Sequence, residues 1–239
     1  MTINNFEHIL MKYLILGLGI YGENLARDLT DSGNDVIGAD INPLKAAELK
    51  DYISAVYIID ASEESQLAIL PLLNVDLVIV AIGENFGASI KAVALLKKSG
   101  VKHIYARAID TLHEAILESF GIDRIITPEQ RAASDLCSEL ELGAAVKTMR
   151  VDADTMVAQF SVTDYLVDMN YDELRRRLDE GYGLKIVAAD RPVDEANILG
   201  IKHEEPRVFD TTGEKVKAGD RLSLFGPRAK FTALFRKIR

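Results

Sequence analysis

Leu14-Ile15-Leu16-Gly17-Leu18-Gly19-Ile20-Tyr21-Gly22 is the stretch that decides the fold, and the segment Ile37-Gly38-Ala39-Asp40 follows it along the chain. These two segments describe an apolar strand, a G-x-G-x-x-G turn that opens a helix, a second strand and an acidic residue at its end. A strand, a glycine turn and a terminal acid in this order predict a Rossmann-type nucleotide site.

The three glycines have different expected roles in such a turn. Gly17 permits the tight turn, Gly19 lets the backbone approach a pyrophosphate, and Gly22 lets the helix lie close to the sheet. The free N–H groups at the start of the helix would then hold the phosphates. Asp40 would accept hydrogen bonds from ribose hydroxyls, and its charge favours NAD over NADP. The alternative is a packed glycine turn without a ligand.

The first half of the chain alternates strand and helix patterns. Residues 11–143 are therefore expected to form a doubly wound parallel sheet with strand order 3-2-1-4-5-6 and right-handed crossovers. The binding crevice of such a sheet lies at the carboxyl ends of its strands. The residues predicted at that edge are Gly17–Gly22, Asp40, Asp60, Ala81–Gly83 and Arg107.

The pattern changes after residue 143. Short strand candidates and two helices over residues 144–239 predict a small α+β module, with no element assigned between residues 190 and 217. Arg175, Arg176 and Arg177 are expected on a solvated helix face, paired with nearby acids. Residues 1–10 are expected to be an N-terminal extension, either a short helix or a disordered lead.

Composition excludes several classes of function. The net charge of −9 argues against non-specific binding to nucleic acid or anionic lipid. We find neither an apolar run long enough to span a membrane nor a secretory signal pattern. Cys137 is the single cysteine, which excludes an internal disulfide, fits the cytoplasm and is expected to be buried. The four histidines lack metal-ligand spacing, which argues against structural zinc.

No catalytic constellation stands out in the second half of the chain. A nucleotide pocket beside a module without catalytic groups favours a sensor rather than an enzyme. One alternative is an NAD-dependent oxidoreductase with an unrecognised substrate domain. Another is a nucleotide-responsive transcriptional repressor, against which the acidic charge and the lack of a basic helix-turn-helix segment argue.

An ordered set of stretches carries a family resemblance. They are residues 17–22, 39–42, 60–62, 81–85, 88–89, 106–108 and 121–129, with looser matches at 182–188 and 219–222. The chain resembles the RCK (regulator of potassium conductance) proteins, specifically the cytoplasmic regulatory subunits of bacterial Ktr and Trk potassium-uptake systems.

The resemblance implies an architecture and a function. Residues 11–143 would be the Rossmann-like nucleotide-binding domain and residues 144–239 the C-terminal RCK module. Dimers would assemble into a ring, commonly an octamer, docked on a membrane potassium-transporter pore subunit at the inner face of the cell membrane. The ligands would be NAD(H), ADP or ATP, a divalent cation could accompany the nucleotide, and some family members bind cyclic di-AMP at the C-terminal module.

The resemblance also implies residue roles. Gly17, Gly19 and Gly22 would cradle phosphates and Asp40 would bind ribose. Asp60 and Ala61 would border the adenine, Ala81-Ile82-Gly83 would line the ribose wall, and Arg107 would face the phosphates. Ile20, Tyr21 and Ile41 belong to the matched nucleotide-binding stretches. Glu129 would coordinate a divalent cation. The alternatives are a strand-end surface charge for Arg107 and a favourable acid at a helix N-terminus for Glu129.

One position departs from the family pattern. Many ATP-responsive relatives have arginine where this chain has Ile20, and a guanidinium there can hold a γ-phosphate. The missing charge-assisted contact is worth roughly 1.5–3 kcal/mol. We therefore expect weak discrimination between ATP and ADP, and a relative preference for NAD(H) or a diphosphate.

Overall fold

The computed structural model describes residues 10–142, 146–196 and 202–238, and its contacts divide the chain between Pro128 and Glu129. The predicted boundary at residue 143 lies one helix later. The helix between the two positions ends at Leu142, whose side chain is buried in the hydrophobic core of the second unit. The predicted N-terminal extension falls almost wholly on residues 1–9, outside the described part of the chain.

Parallel strands form the sheet of the first unit. They are β1 (Lys12–Leu16), β2 (Asp35–Asp40), β3 (Ala55–Ile58), β4 (Leu77–Val80), β5 (Ile104–Arg107) and β6 (Arg124–Ile126). Their order across the sheet is β3-β2-β1-β4-β5-β6, which confirms the predicted doubly wound arrangement. From β1 the chain adds β2 and β3 on one side of the sheet and then β4, β5 and β6 on the other side. Leu14 of β1 pairs with Ile37 of β2 and with Val78 of β4. A ligand crevice is expected at this switch point.

The helices of the first unit cover both faces of the sheet. They are α1 (Ile20–Asp31), α2 (Pro43–Leu49), α3 (Glu64–Leu67), α4 (Phe86–Lys98) and α5 (Thr111–Ser119). Alternate residues of β1 enter different cores: Leu14 packs in the core that α4 and α5 cover, and Ile15 in the core with α1 and α2. This alternation explains why β4 is apolar at every position, since both of its faces are buried.

Side-chain caps place several helix starts at the carboxyl edge of the sheet. The Asn42 side chain accepts from the amide of Leu44 at the start of α2. The Asp110 side chain caps α5 by accepting from the His113 amide. Glu63 is the N-cap of α3 and makes no side-chain cap hydrogen bond. The preceding Ser62 amide donates to the Asp60 carboxylate.

An antiparallel sheet forms the centre of the second unit. Its elements in chain order are α6 (Pro128–Leu142), β7 (Val146–Arg150), β8 (Thr155–Ser161), α7 (Tyr171–Tyr182), β9 (Lys185–Ala196), β10 (Lys202–Val208), β11 (Arg221–Pro227) and α8 (Arg228–Ile238). The strand order is β10-β9-β11-β8-β7, and α7 and α8 contribute to the core on one face. This is the predicted α+β module. The segment without an assigned element, residues 190–217, contains the end of β9 and the whole of β10.

Surface features of the second unit agree with most sequence-based predictions. Arg175, Arg176 and Arg177 each pair with an acid of α7, at N···O distances of 2.9, 3.3 and 2.5 Å. Cys137 is exposed, which corrects the expectation that it is buried. Among the described residues, every helix is too short or too polar to cross a membrane.

Candidate nucleotide-binding site

The turn between β1 and α1 depends on close backbone contacts at two of its glycines. Gly17 has a φ of +96°, which L side chains rarely adopt, and its amide donates to the Ala39 carbonyl oxygen at 2.8 Å. A Cβ on Gly17 would lie 3.0 Å from the backbone nitrogen of Ile82. A Cβ on Gly22 would lie 1.9 Å from the carbonyl oxygen of Gly17. Side chains at either position would push the turn apart.

Gly19 differs from the other two glycines because its missing side chain faces open space. It is the N-cap of α1 with a φ of −67°, a value open to any residue. Apart from its chain neighbours, the nearest described atom to a Cβ on Gly19 would be Nζ of Lys45, at 3.7 Å. A glycine N-cap also has no side chain to satisfy the first amides of α1. The turn therefore presents backbone donors to a space that an anion can enter.

Asp40, at the end of β2, is hydrogen-bonded to this turn. Its Oδ2 accepts from the Leu18 amide at 2.6 Å, and its Oδ1 accepts from the Asn42 amide at 2.7 Å. Carboxylate oxygens accept more than one hydrogen bond, so both retain capacity for ribose hydroxyls. The next residue, Ile41, is 65% exposed. The predicted ribose acceptor thus also organises the loop that would hold the phosphates.

Asp60 and Ala61 lie beyond the end of β3, beside Asp40. The Ile59 amide donates to the Asp40 carbonyl oxygen at 3.0 Å, which links the two strand ends. Asp60 accepts from the Ser62 amide through Oδ1 at 2.9 Å, and Ala61 is buried. These contacts place the predicted adenine residues next to the predicted ribose residue.

Arg107, the last residue of β5, packs against the loop that follows β4. The Ala81 amide donates to the Leu16 carbonyl oxygen at 2.7 Å. A Cβ on Gly83 would lie 2.4 Å from Nη1 of Arg107, so the arginine packs over the glycine backbone. The Arg107 guanidinium carbon also lies 5.8 Å from the centre of the Tyr21 ring on α1. This placement agrees with a position near the phosphates.

Two charged residues at this edge were not among the predicted site residues. Lys45 lies in the first turn of α2, and its Nζ is 3.6 Å from Oε1 of Glu84, which follows β4. The Lys45 side chain is 33% exposed and that of Glu84 is 92% exposed. A sequence signal existed, since a lysine in the first turn of the helix after β2 lies at the carboxyl edge. Its distance from Gly19 depends on the tertiary structure.

The residue predicted to coordinate a divalent cation belongs to the second unit of the chain. Glu129 lies in the first turn of α6, within the second unit. No cluster of three or more histidine, cysteine, aspartate or glutamate side chains with metal-site geometry occurs among residues 10–142, 146–196 and 202–238. The remaining predicted residues lie at the carboxyl ends of the first unit's strands or just beyond them.

The second unit contains a buried polar network of its own. Asp220 is fully buried and accepts from the Tyr171 hydroxyl at 2.9 Å, from Nε of Arg191 at 2.6 Å and from the Lys217 amide at 2.9 Å. Burial opposes ionisation of Asp220, but these donors hold the pKa of its carboxyl below the ordinary value. Burial and the Asp220 contact raise the pKa of Tyr171. The network joins α7, β9 and the start of β11.

Comparisons with known proteins support the fold of both units. A family model described as the TrkA-N domain matches residues 13–128. The Ktr system potassium uptake protein C of Bacillus subtilis (strain 168) is 31% identical over 180 residues, which cover 75% of this chain and 80% of the relative. The Ktr system potassium uptake protein A of Vibrio alginolyticus is 34% identical over 119 residues, covering 50% of this chain and 54% of the relative.

A solved structure extends the likeness to the second unit. The GsuK RCK domain aligns with 97% of this chain at a TM-score of 0.59 and 14% identity. The chain spans about half the length of that protein, since the alignment covers 48% of it. At this identity the likeness concerns the fold alone.

Proposed function

The chain belongs to the RCK family of Ktr and Trk regulatory subunits, and from that membership we propose that it is a nucleotide-sensing regulator of a membrane potassium transporter. Its general role is regulatory, in potassium transport. We propose further that nucleotide binding changes the shape of an oligomeric ring and thereby gates the transporter. The energy available for that change is the difference in nucleotide affinity between the two shapes.

One observation carries the nucleotide part of this proposal. Gly19 leaves the start of α1 open, the Asp40 carboxylate accepts from the Leu18 amide of the same turn, and the Arg107 guanidinium lies 5.8 Å from the Tyr21 ring on α1. Backbone amides and a guanidinium suit phosphates, and a carboxylate suits ribose hydroxyls. Asp60 and Ala61 extend the edge in the direction where an adenine would lie.

The proposed ligands are NAD(H), ADP or ATP. The Asp40 carboxylate disfavours the 2′-phosphate of NADP by charge repulsion. A structure described as the GsuK channel bound to NAD shares its fold with 98% of this chain, at a TM-score of 0.59 and 16% identity. A divalent cation at Glu129 and cyclic di-AMP at the second unit are further parts of the proposal, implied by the family resemblance.

The proposed partner is a membrane potassium-transporter pore subunit, and the proposed assembly is a ring of dimers such as an octamer. This places the protein in the cytoplasm, peripheral to the inner face of the membrane. We propose that nucleotide is bound without being converted. We propose no direct binding to nucleic acid, because the net charge of −9 opposes it.

The test is a thermal-shift titration of the full chain with NADH, NAD, ATP, ADP, AMP and cyclic di-AMP, followed by chromatography of the recovered nucleotide. A ligand present at 100 times its Kd stabilises the folded state by about 2.7 kcal/mol, which raises the Tm. We expect adenine nucleotides to raise the Tm and to be recovered unchanged. No shift with any nucleotide, or conversion of the bound nucleotide, would overturn the proposal.

The potassium-transport part needs a second measurement. In cells that lack a Ktr regulatory subunit but retain its pore subunit, expression of this chain should restore growth at low potassium. The Gly19→Ala variant, which is expected to fold but to bind nucleotide poorly, is the matched control. Equal growth with the wild-type chain and with Gly19→Ala would mean that activation of the transporter does not depend on nucleotide binding, and would overturn the sensing part of the proposal.

A further inference from the structure

Lys45 holds an ammonium group beside the open face of Gly19. Its Nζ lies 3.7 Å from the point where a Gly19 Cβ would be. In the glycine-turn fold, that missing Cβ is what lets the backbone approach a pyrophosphate. An ammonium at this distance can therefore contact a phosphate bound at the start of α1. The Arg107 guanidinium packs against Gly83, in the loop after β4 whose backbone lies close to Gly17.

The present partner of Lys45 is a weak competitor for that contact. The distance of 3.6 Å to Oε1 of Glu84 exceeds that of a charge-assisted hydrogen bond. The Glu84 side chain is 92% exposed, so water screens the pair. Exposed pairs of this kind contribute little stability. A phosphate group, which offers several anionic oxygens to one ammonium, can replace the glutamate at small cost.

Glu84 and Lys45 also lie on opposite sides of the switch point. Lys45 belongs to α2, which follows β2, and Glu84 follows β4. Their contact therefore crosses in front of the β1 turn. A nucleotide that enters along Gly19 must displace this contact or lie against it.

We propose that Lys45 is a phosphate-binding residue that sets the affinity for nucleoside diphosphates, and that Glu84 lowers this affinity by competing for the Lys45 ammonium. This inference rests on the proposed nucleotide-sensing function. It predicts effects of opposite sign from the two members of one ion pair. A bridge with a purely structural role would instead give effects of the same sign.

The test is isothermal titration of the full chain with ADP in the wild type and in Lys45→Met and Glu84→Gln variants. Lys45→Met should weaken ADP binding by at least about tenfold, the value of a contact between charged groups. Glu84→Gln should tighten it by about two- to fivefold, the value of an exposed pair. Lys45→Arg should retain most of the affinity.

Matched controls separate local contacts from net charge. Lys102→Met and Glu118→Gln make the same charge changes at exposed positions, on the loop before β5 and near the end of α5. They should leave the Kd for ADP within about twofold, since screening is strong beyond about 10 Å. In the Lys45→Met background, Glu84→Gln should lose most of its effect. Circular dichroism and Tm identify any variant that fails to fold.

The possible failures are distinguishable. If the wild type binds no adenine nucleotide, the proposed function fails. If the wild type binds ADP and the folded Lys45→Met variant binds it equally well, only the role of Lys45 fails. If Lys45→Met and Glu84→Gln both weaken ADP binding, the pair is a structural bridge and the competition is overturned.

Discussion

The Asp40 carboxylate accepts a hydrogen bond from the Leu18 backbone amide at 2.6 Å, so the end of β2 is bonded directly to the glycine turn after β1. The same carboxylate accepts from the Asn42 amide at 2.7 Å, before α2. Asp40 thus connects the two loops that border the switch point. Its structural and ligand-binding roles are expected to be inseparable.

Replacing Asp40 should reduce stability and nucleotide binding together. Asp40→Ala removes the acceptor for two loop amides, and we expect a loss of about 1–3 kcal/mol in the free energy of unfolding. NAD binding should fall at least about tenfold through the lost ribose contact. Denaturant unfolding and calorimetry measure the two effects. Asp51→Ala, at an exposed position, is the control, and an unchanged NAD affinity in Asp40→Ala would contradict the ribose role.

Gly19 and Gly22 should respond differently to the same added methyl group. Gly19→Ala should fold with a stability change within about 1 kcal/mol, because its Cβ points into open space. It should bind ADP at least about tenfold more weakly, because the methyl group occupies the path of the pyrophosphate.

Gly22→Ala should instead fail to fold or lose most of its stability. Its Cβ would lie 1.9 Å from the Gly17 carbonyl oxygen, and the backbone would have to move to relieve this steric clash. Thermal unfolding and soluble yield compare the two variants. Normal stability of Gly22→Ala would mean that the helix start can shift without cost.

Ile20→Arg should increase the preference for ATP. The Ile20 side chain is 86% exposed at the first position of α1, so an arginine fits there without repacking. A new charge-assisted contact to a γ-phosphate should tighten ATP binding by about ten- to hundredfold, while ADP changes less. Ile20→Met is the uncharged control. An equal gain for ATP and ADP would show that only the general charge of the site had changed.

Asp220→Asn should destabilise the second unit by about 3 kcal/mol, because it leaves the Arg191 guanidinium beside a buried neutral group. The pKa of Asp220 is lowered in the folded state, so its stabilising effect is complete above the unfolded pKa of about 3.9 and is lost as the pH falls through the folded pKa. The stability gap between wild type and variant should therefore shrink below about pH 4.

Amide hydrogen exchange in β8 and β11 reports this effect on the second unit alone. Asp164→Asn, at an exposed position, is the control for a lost carboxylate. A gap that stays constant down to pH 3 would mean that the Asp220 charge contributes nothing to folding.

The first unit could be predicted largely from local signals. The apolar strands, the G-x-G-x-x-G turn and the Asn42 cap act over a few residues, and their alternation restricts the sheet to one strand order. Local signals leave the start of α5 ambiguous by one residue, because Asp110 and Thr111 both have capping side chains. Only the backbone path decides which of them accepts the His113 amide.

The second unit was less predictable because its strands depend on pairing. The β10 sequence, Lys-His-Glu-Glu-Pro-Arg-Val, has no alternation of apolar and polar residues. It is a strand because it pairs antiparallel with β9, from Lys202 opposite Ala196 to Val208 opposite Asp190. Such pairing is a contact between segments, and no periodicity within either segment encodes it.

The amino-acid sequence by itself determined the chain of strands and helices in the first unit and placed Gly17, Asp40 and Arg107 at one edge of its sheet. These assignments follow from local backbone preferences and from the rules of parallel crossovers. Only the tertiary structure decided that Lys45 meets Glu84 in front of Gly19, and that Asp220 is enclosed by Tyr171 and Arg191. Side-chain distances between residues far apart in the chain depend on how whole elements pack.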